Sequence, residues 1–208
     1  APWTLMAYMV EGEGSKTWHK SKRWLFCHPD AAHELLGTLA DVIIEYLHHQ
    51  VLAGAQLIQV FDSWAGELSP ADFAEFCLPY LNRIGRALRE RHPDIPLIVF
   101  AKGANMSLEA LAKESPYDVC GLDWTIEPST ARQLVGPGMT LQGNLDPCTL
   151  YADEAVIRER VQRMLQGFGT QRVIANLGHG MQPTHSPDHL AYFVDAVHSI
   201  SEAMNAPA

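Results

Sequence analysis

Apolar runs that end in small or polar residues alternate with amphipathic stretches along this chain, which is the pattern of repeated βα units. The apolar runs predict five strands, at residues 57–61, 97–101, 119–122, 139–141 and 173–175. A helix is predicted after each strand, at residues 69–91, 107–113, 129–134, 153–166 and 187–204. Before the first unit, residues 31–52 predict a long helix ending at Gly54, and residues 5–10 form an apolar element of ambiguous type.

Consecutive βα units predict a parallel sheet, which is either an open doubly wound sheet or a closed (β/α)8 barrel. None of the loops after the predicted strands carries the GxGxxG pattern of a dinucleotide fold. An open sheet of five apolar strands would also expose pairing edges. The fold class is therefore predicted to be α/β, a (β/α)8 TIM barrel that is incomplete here, with about five βα units in a single domain over residues 1–208.

Composition narrows the function classes. The formal net charge of −9 disfavours a nucleic-acid or anionic-membrane surface, and no apolar run reaches transmembrane length. The small basic cluster at residues 16–23 is interpreted as a solvated helix face. The four cysteines are isolated, so neither a zinc site nor a disulfide framework is predicted, and a reducing intracellular compartment fits best.

The stretch at residues 173–180 is the strongest functional signal, because a short apolar run is followed at once by a glycine-flanked imidazole. His179 is predicted to stand at the carboxyl end of a strand, where parallel α/β proteins keep their chemistry. Glycines on both sides allow backbone to approach a ligand closely. The other nine histidines are interpreted as surface or helix-face residues.

Residues that follow the predicted strands form a set of hydrogen-bond donors with one carboxylate, which suits an anionic organic ligand better than a metal ion. Tyr8 lies upstream of this set, whose members are Ser63, Lys102, Asp123, Asn144 and His179. A nucleophilic serine is disfavoured because Ser63 does not lie in a GxSxG elbow. Structural alternatives stay open: a loop cap for Ser63, a satisfied buried carboxylate for Asp123, a core aromatic for Tyr8 and a solvated rim charge for Lys102.

Five short segments, in this order, resemble the uroporphyrinogen decarboxylase family: APWTL (1–5), FDSWA (61–65), GLDW (121–124), LQGNLDP (141–147) and NLGHG (176–180). The resemblance runs essentially end to end. It implies a (β/α)8 barrel, usually a homodimer, that removes the four acetate carboxylates of uroporphyrinogen to give coproporphyrinogen for haem and chlorophyll synthesis. It further implies that no metal or organic cofactor is used.

By the same resemblance, Tyr8, Ser63 and His179 match family positions that contact the tetrapyrrole substrate. The family's substrate-binding arginines and its catalytic aspartate lie upstream of the segment that matches Ala1. The chain is therefore expected to be the carboxyl-terminal part of such a barrel, with its catalytic residue unassigned and its activity absent when isolated. The expected compartment is the cytoplasm, with the plastid as an alternative.

Two rival functions remain open from the sequence. One is a non-catalytic tetrapyrrole-binding fragment, which the missing aspartate favours. The other is a relative of zinc- and corrinoid-dependent methyltransferases, which would need a close set of His and Cys ligands that the residues after the strands do not offer.

Overall fold

The computed structural model describes residues 1–206 of the 208-residue chain. The helices within this part are α1 Pro2–Glu11, α2 His19–Cys27, α3 Pro29–Leu52, α4 Pro70–Phe76, α5 Leu78–Arg91, α6 Leu108–Glu114, α7 Pro128–Val135, α8 Glu154–Phe168 and α9 Pro187–Asn205. The strands are β1 Ile58–Asp62, β2 Leu97–Ala101, β3 Val119–Gly121, β4 Thr140–Leu145 and β5 Val173–Leu177. Among residues 1–206 no helix is long and apolar enough to cross a membrane.

The strands form one five-stranded sheet in the order β1-β2-β3-β4-β5. β1 pairs parallel with β2, with Ile58 opposite Leu97, and β4 pairs parallel with β5, with Leu141 opposite Val173. Sequential strand order with a helix after each strand is the arrangement of (β/α)8 proteins. The predicted α/β class, with five βα units, is confirmed.

The chain divides into two compact units, one formed by Ala1–Cys120 and the other starting at Gly121. The single-domain assignment of residues 1–208 stays a prediction. In the first unit, α1 and α3 pack together, and α3 also packs on α5. Their contact faces are apolar, and Trp3, Leu36 and Leu81 are fully buried. In the second unit α8 packs against α9, with Ile157 and Val161 fully buried on α8.

Three of the helices begin at a residue whose side chain caps the first turn. The hydroxyl of Ser69 accepts the backbone N–H of Asp72 at the start of α4, and Ser186 does the same for Asp188 at α9. The Asp153 carboxylate caps α8 by accepting the N–H of Val156. In α4 and α9 a proline follows the cap directly, where its missing N–H costs nothing.

Some predicted elements differ from the observed ones. The single helix predicted over residues 69–91 is two helices that meet at Cys77. Pro79 has no N–H to donate four residues back, so the hydrogen-bond ladder is interrupted and α5 restarts at Leu78. The ambiguous element at residues 5–10 is helical and belongs to α1. The strand predicted at residues 139–141 extends to Leu145, because the polar residues after Leu141 continue the pairing with β5.

Candidate functional site

The first unit places three consecutive residues at the carboxyl end of β1. Asp62 is fully buried, and its Oδ1 accepts a 2.6 Å hydrogen bond from the Thr4 hydroxyl on α1. Burial raises the pKa of the Asp62 carboxyl above its ordinary value. Ser63 follows and is half-buried, and Trp64 comes next, its carbonyl accepting the Trp3 indole N–H at 2.9 Å. Helix α1 thus holds the strand end from which Ser63 projects.

Ser63 lines a small cavity of about 120 Å³ in the first unit. The other lining residues are Trp64, Gly66, Glu67, Lys102 and Gly103. The loops after β1 and β2 meet here through glycine backbones, because a Cβ on Gly66 would lie only 2.6 Å from the Cα of Gly103. The hydroxyl of Ser63 and the ammonium of Lys102 therefore share one cavity at the ends of neighbouring strands.

Three aromatic side chains, Tyr8, Trp18 and Trp64, form what we call the aromatic cluster. The Tyr8 ring makes edge contacts with Trp18 at 5.7 Å and with Trp64 at 6.4 Å between ring centroids. Lys102 Nζ lies 5.4 Å from the Trp64 ring centroid, a cation–π distance. The cluster holds the Tyr8 side chain, which is nevertheless 47% exposed to solvent. Tyr8 is therefore not a buried core aromatic, which was the structural alternative for this residue.

In the second unit, Asp123 and Asn144 hold the loop that follows β3. Asp123 is 1% exposed, and its Oδ1 accepts hydrogen bonds from the backbone N–H and the hydroxyl of Thr125. The Asn144 amide donates to the carbonyl oxygens of Asp123 at 2.9 Å and Ile126 at 2.7 Å. Both N–H groups of Asn144 are thereby used, so the prediction that Asn144 donates to a ligand is wrong. For Asp123, these bonds match the alternative of a satisfied buried carboxylate.

His179 follows β5 by two residues, as predicted, and its side chain is exposed. Its ring lies edge-on to Trp124, with 6.3 Å between ring centroids. Gly178 lets the two strand-end loops touch, because a Cβ there would lie 2.7 Å from the Trp124 backbone nitrogen. The N–H of Gly178 also donates to the Leu145 carbonyl at 2.7 Å. The glycine before His179 is thus required for backbone packing.

The loop between His179 and α9 contains a residue that the sequence did not single out. His185 is buried, which corrects its interpretation as a surface or helix-face residue. Its Nδ1 accepts the Gln182 N–H at 3.1 Å, and its ring lies 4.3 Å from that of Tyr151, whose hydroxyl bonds Thr184. The only signal near His185 in the sequence is the helix-capping residue Ser186, and a helix cap does not predict that its neighbour is buried.

A larger cavity of about 240 Å³ lies in the second unit beside α8. Two guanidinium groups, of Arg160 and Arg163, and two carboxylates, of Glu127 and Asp146, are among the side chains that line it. Arg163 pairs with Glu127 at 2.8 Å, and Asp146 accepts the Cys148 N–H. The charges in this cavity therefore largely compensate one another.

The described residues offer little for metal or thiolate chemistry at the strand ends. Within residues 1–206 no group of three or more His, Cys, Asp or Glu side chains is arranged to hold a metal ion. Burial raises the pKa of the Cys77 thiol well above its ordinary value, and that of Cys120 to about 12. Burial of this kind disfavours the thiolate, which is the form that attacks carbon.

The structure thus places the three residues predicted to bind substrate as follows. Tyr8 and Ser63 belong to the first unit, where Trp64 touches the Tyr8 ring and follows Ser63 in the chain. His179 belongs to the second unit, beside Trp124. Hydroxyl and imidazole groups of these kinds bind carboxylates and do not by themselves form a nucleophilic triad.

Comparison with known proteins gives one consistent family. Residues 1–200 match the uroporphyrinogen decarboxylase (URO-D) family. The chain is 56% identical over 205 residues to the uroporphyrinogen decarboxylase of Dictyostelium discoideum, an alignment that covers 98% of this chain and 56% of the relative. It is 57% identical to the enzyme of Salinibacter ruber and 50% identical to that of Homo sapiens, each over 98% of this chain and 57% of the relative. The chain thus spans a little over half the length of these relatives.

Solved structures agree on the fold. A methyltransferase from Methanosarcina mazei superposes with a TM-score of 0.77 at 18% identity, over 95% of this chain and 63% of that one. A B12-independent methionine synthase from Shewanella sp. W3-18-1 gives a TM-score of 0.62 at 14% identity, over 82% of this chain and 54% of that one. At these identities the likeness concerns the fold alone.

Proposed function

This chain belongs to the uroporphyrinogen decarboxylase family, and from that premise we propose that it takes part in removing the acetate carboxylates of uroporphyrinogen to give coproporphyrinogen. The observation that carries the proposal is the match over residues 1–200, together with 50–57% identity to decarboxylases from distant organisms. The substrate-binding residues that we propose are Tyr8, Ser63 and His179. Because the chain spans only a little over half the length of these relatives, the complete reaction is proposed for the whole protein to which this chain belongs.

The chemistry sets what these side chains must do. An acetate on a pyrrole loses carbon dioxide once the neighbouring ring carbon is protonated, because the cationic ring then accepts the electron pair of the breaking C–C bond. The protein must tolerate positive charge on the macrocycle and hold many carboxylates at its edge. Hydrogen bonds from hydroxyl and imidazole groups meet the second need, and a protonated His179 strengthens its bond through charge.

The first unit supports the proposal through its rigidity. The Tyr8 ring is fixed by two tryptophans and is half exposed, so its hydroxyl is presented without much loss of side-chain entropy on binding. Ser63 projects from a strand end that Thr4 and Trp3 tie to α1. Lys102 shares the Ser63 cavity and adds positive charge to a chain whose formal net charge is −9.

We also propose, from the family resemblance, that the reaction needs no metal or organic cofactor and that the working protein is a homodimer in the cytoplasm, or in a plastid. Exhaustive chelation is expected to leave turnover intact, and a stoichiometric metal whose removal stops turnover would favour the methyltransferase alternative. Sedimentation equilibrium at several concentrations tests the dimer, and a monomer at all of them contradicts it.

The decisive experiment replaces His179 by alanine in the protein that contains this chain. Loss of a charge-assisted hydrogen bond to a carboxylate is expected to lower kcat/KM by about 10- to 100-fold. The effect should differ among the four decarboxylations, since each successive substrate presents a different edge of the macrocycle to His179. Intermediates with seven, six or five carboxylates should therefore accumulate. Chromatography of the esterified products measures this.

His198→Ala is the matched control, because His198 is an exposed histidine on α9. It is expected to keep the wild-type product profile. Unchanged kinetics at every step for His179→Ala would remove that residue from the site. Tetrapyrrole binding without any release of carbon dioxide by the wild-type protein would favour the non-catalytic alternative.

A further inference from the structure

Two histidines from different helices touch at the opposite end of β1 and β2 from Ser63. His48 lies in the last turns of α3, and His92 is the residue that caps the end of α5. The Nδ1 of His48 and the Nε2 of His92 are 2.8 Å apart, and the two ring centroids are 4.9 Å apart with the planes 27° from parallel. Both side chains are half-buried.

The contact joins two nitrogens that must share a single proton. In neutral imidazoles one ring nitrogen donates and the other accepts, so the His48–His92 contact holds with one hydrogen between the rings. When each ring carries its hydrogen on the nitrogen that faces away from the contact, the same two nitrogens present lone pairs, which are the form that binds a metal ion.

The nitrogen separation fits metal coordination. Two imidazole nitrogens that each lie about 2.05 Å from one metal ion, at right angles, are roughly 2.9 Å apart. The observed separation of 2.8 Å is close to this value. Imidazole is a preferred ligand of nickel, copper and zinc ions.

The surroundings also favour a cation. Both histidines lie where a helix ends, and the carbonyl groups there give the negative end of the helix dipole. The nearby guanidinium of Arg91 is offset by Glu45, whose Oε1 lies 2.6 Å from Arg91 Nη1. Glu45 precedes His48 by one helical turn, so its carboxylate faces the same region.

We propose that His48 and His92 form a site for a divalent transition-metal ion of the nickel, copper or zinc class, with water completing its coordination. The ion would clamp the end of α3 to the end of α5. The site lies where the helices return to the amino ends of β1 and β2, the face that in barrel proteins serves stability. Its role is therefore structural, and it is independent of the proposed decarboxylation.

Titration of the metal-free protein with nickel chloride, followed by calorimetry, tests the proposal. The expected result is one nickel ion per chain in this site and a rise in melting temperature of about 5 °C at a hundredfold excess over Kd. His48→Ala and His92→Ala should each weaken binding by at least about tenfold and abolish most of the thermal shift. The neighbour His49→Ala is the matched control and should bind like the wild type, since His49 is exposed on the same helix.

Copper(II) electron paramagnetic resonance provides a readout that does not depend on stability. Hyperfine coupling to two imidazole nitrogens is expected in the wild type and to one in each single variant, with His48→Gln replacing the alanine variant if that fails to fold. Nickel affinity and copper spectra that do not change in the His48 and His92 variants would overturn the proposal. An equal loss of affinity in His49→Ala would overturn it as well.

Discussion

The ends of β1 and β5 carry the two kinds of predicted substrate-binding group, and they are held in contrasting ways. At β1, support comes from residues far away in the chain: Trp3 and Thr4 bond to residues 61 and 58 positions later, and the Tyr8 ring packs against Trp64, the residue after Ser63. In the second unit, the Asn144 side-chain amide bridges two backbone carbonyls of the loop after β3, and Gly178 allows the loops after β3 and β5 to touch. The end of β1 is therefore held by large side chains. The second unit instead depends on the missing side chain of Gly178 and on the Asn144 amide.

The largest expected effect comes from Trp3→Ala in the first unit. Trp3 is fully buried and donates to the Trp64 carbonyl, so truncation leaves a large cavity and an unpaired acceptor. The free energy of unfolding should fall by about 4 kcal/mol. Urea denaturation measures this, with the 36% exposed Trp24→Ala as the control, expected to cost less than half as much. Equal costs would show that α1 packing does not hold the end of β1.

Asn144→Leu addresses the second unit with a substitution of similar size. It removes both amide hydrogen bonds and leaves the buried carbonyls of Asp123 and Ile126 without that donor. A loss of about 3 kcal/mol is expected, since each buried unsatisfied group costs 1–3 kcal/mol. Asn176→Leu, at an exposed position of β5, is the control in the same denaturation assay. A small loss in Asn144→Leu would mean that the loop after β3 is held by other contacts.

Gly178→Ala and Gly180→Ala form a matched pair that isolates added volume on either side of His179. A Cβ at Gly178 would lie 2.7 Å from the Trp124 nitrogen, whereas one at Gly180 meets nothing within 4 Å. Displacing backbone should cost about 2 kcal/mol at Gly178 and near zero at Gly180. Thermal unfolding compares the two directly. If both variants melt at the same temperature, the close backbone packing at Gly178 does not contribute to the stability of the second unit.

The smallest expected effect is the pH dependence introduced by Asp62. Because burial raises the pKa of this carboxyl in the folded state, stability is fully present below the unfolded-state pKa and is lost as pH rises through the folded-state pKa. Asp62→Asn keeps an acceptor for Thr4 and removes this loss, so its melting temperature should rise relative to that of the wild type as pH increases. The exposed Asp94→Asn should show no such trend. If the melting temperatures of Asp62→Asn and the wild type change with pH in parallel, burial does not raise the pKa of the Asp62 carboxyl.

Much of this architecture is predictable because strands and helices leave periodic patterns. The strand at residues 97–101 is confirmed with its predicted bounds, since a continuous apolar run has clear limits. The break at Cys77 is less visible, because the amphipathic period continues through Pro79 while the hydrogen-bond ladder does not. Position at strand ends also predicted where Ser63 and His179 lie.

Roles within the site are harder to predict, because they depend on contacts made across the fold. Asn144 follows the same kind of apolar run as Ser63, yet its amide is used by two carbonyls that only the folded loop brings near. The burial of His185 and the contact of His48 with His92 involve partners 34 and 44 residues away in the chain. No local pattern encodes such pairs.

The bonds from α1 to the end of β1 also set an order of events during synthesis. The hydrogen-bond acceptor of Trp3 is a carbonyl 61 residues later in the chain, and that of Thr4 is a carboxylate 58 residues later. At a ribosomal rate of about 5–20 residues per second, those acceptors emerge roughly 3 to 12 seconds after their donors. Helices α2 and α3 lie between them and need only local contacts, so they can form first. The Ser63 loop therefore becomes ordered against α1 only after these two helices have emerged from the ribosome, and until then a chaperone would still find it open.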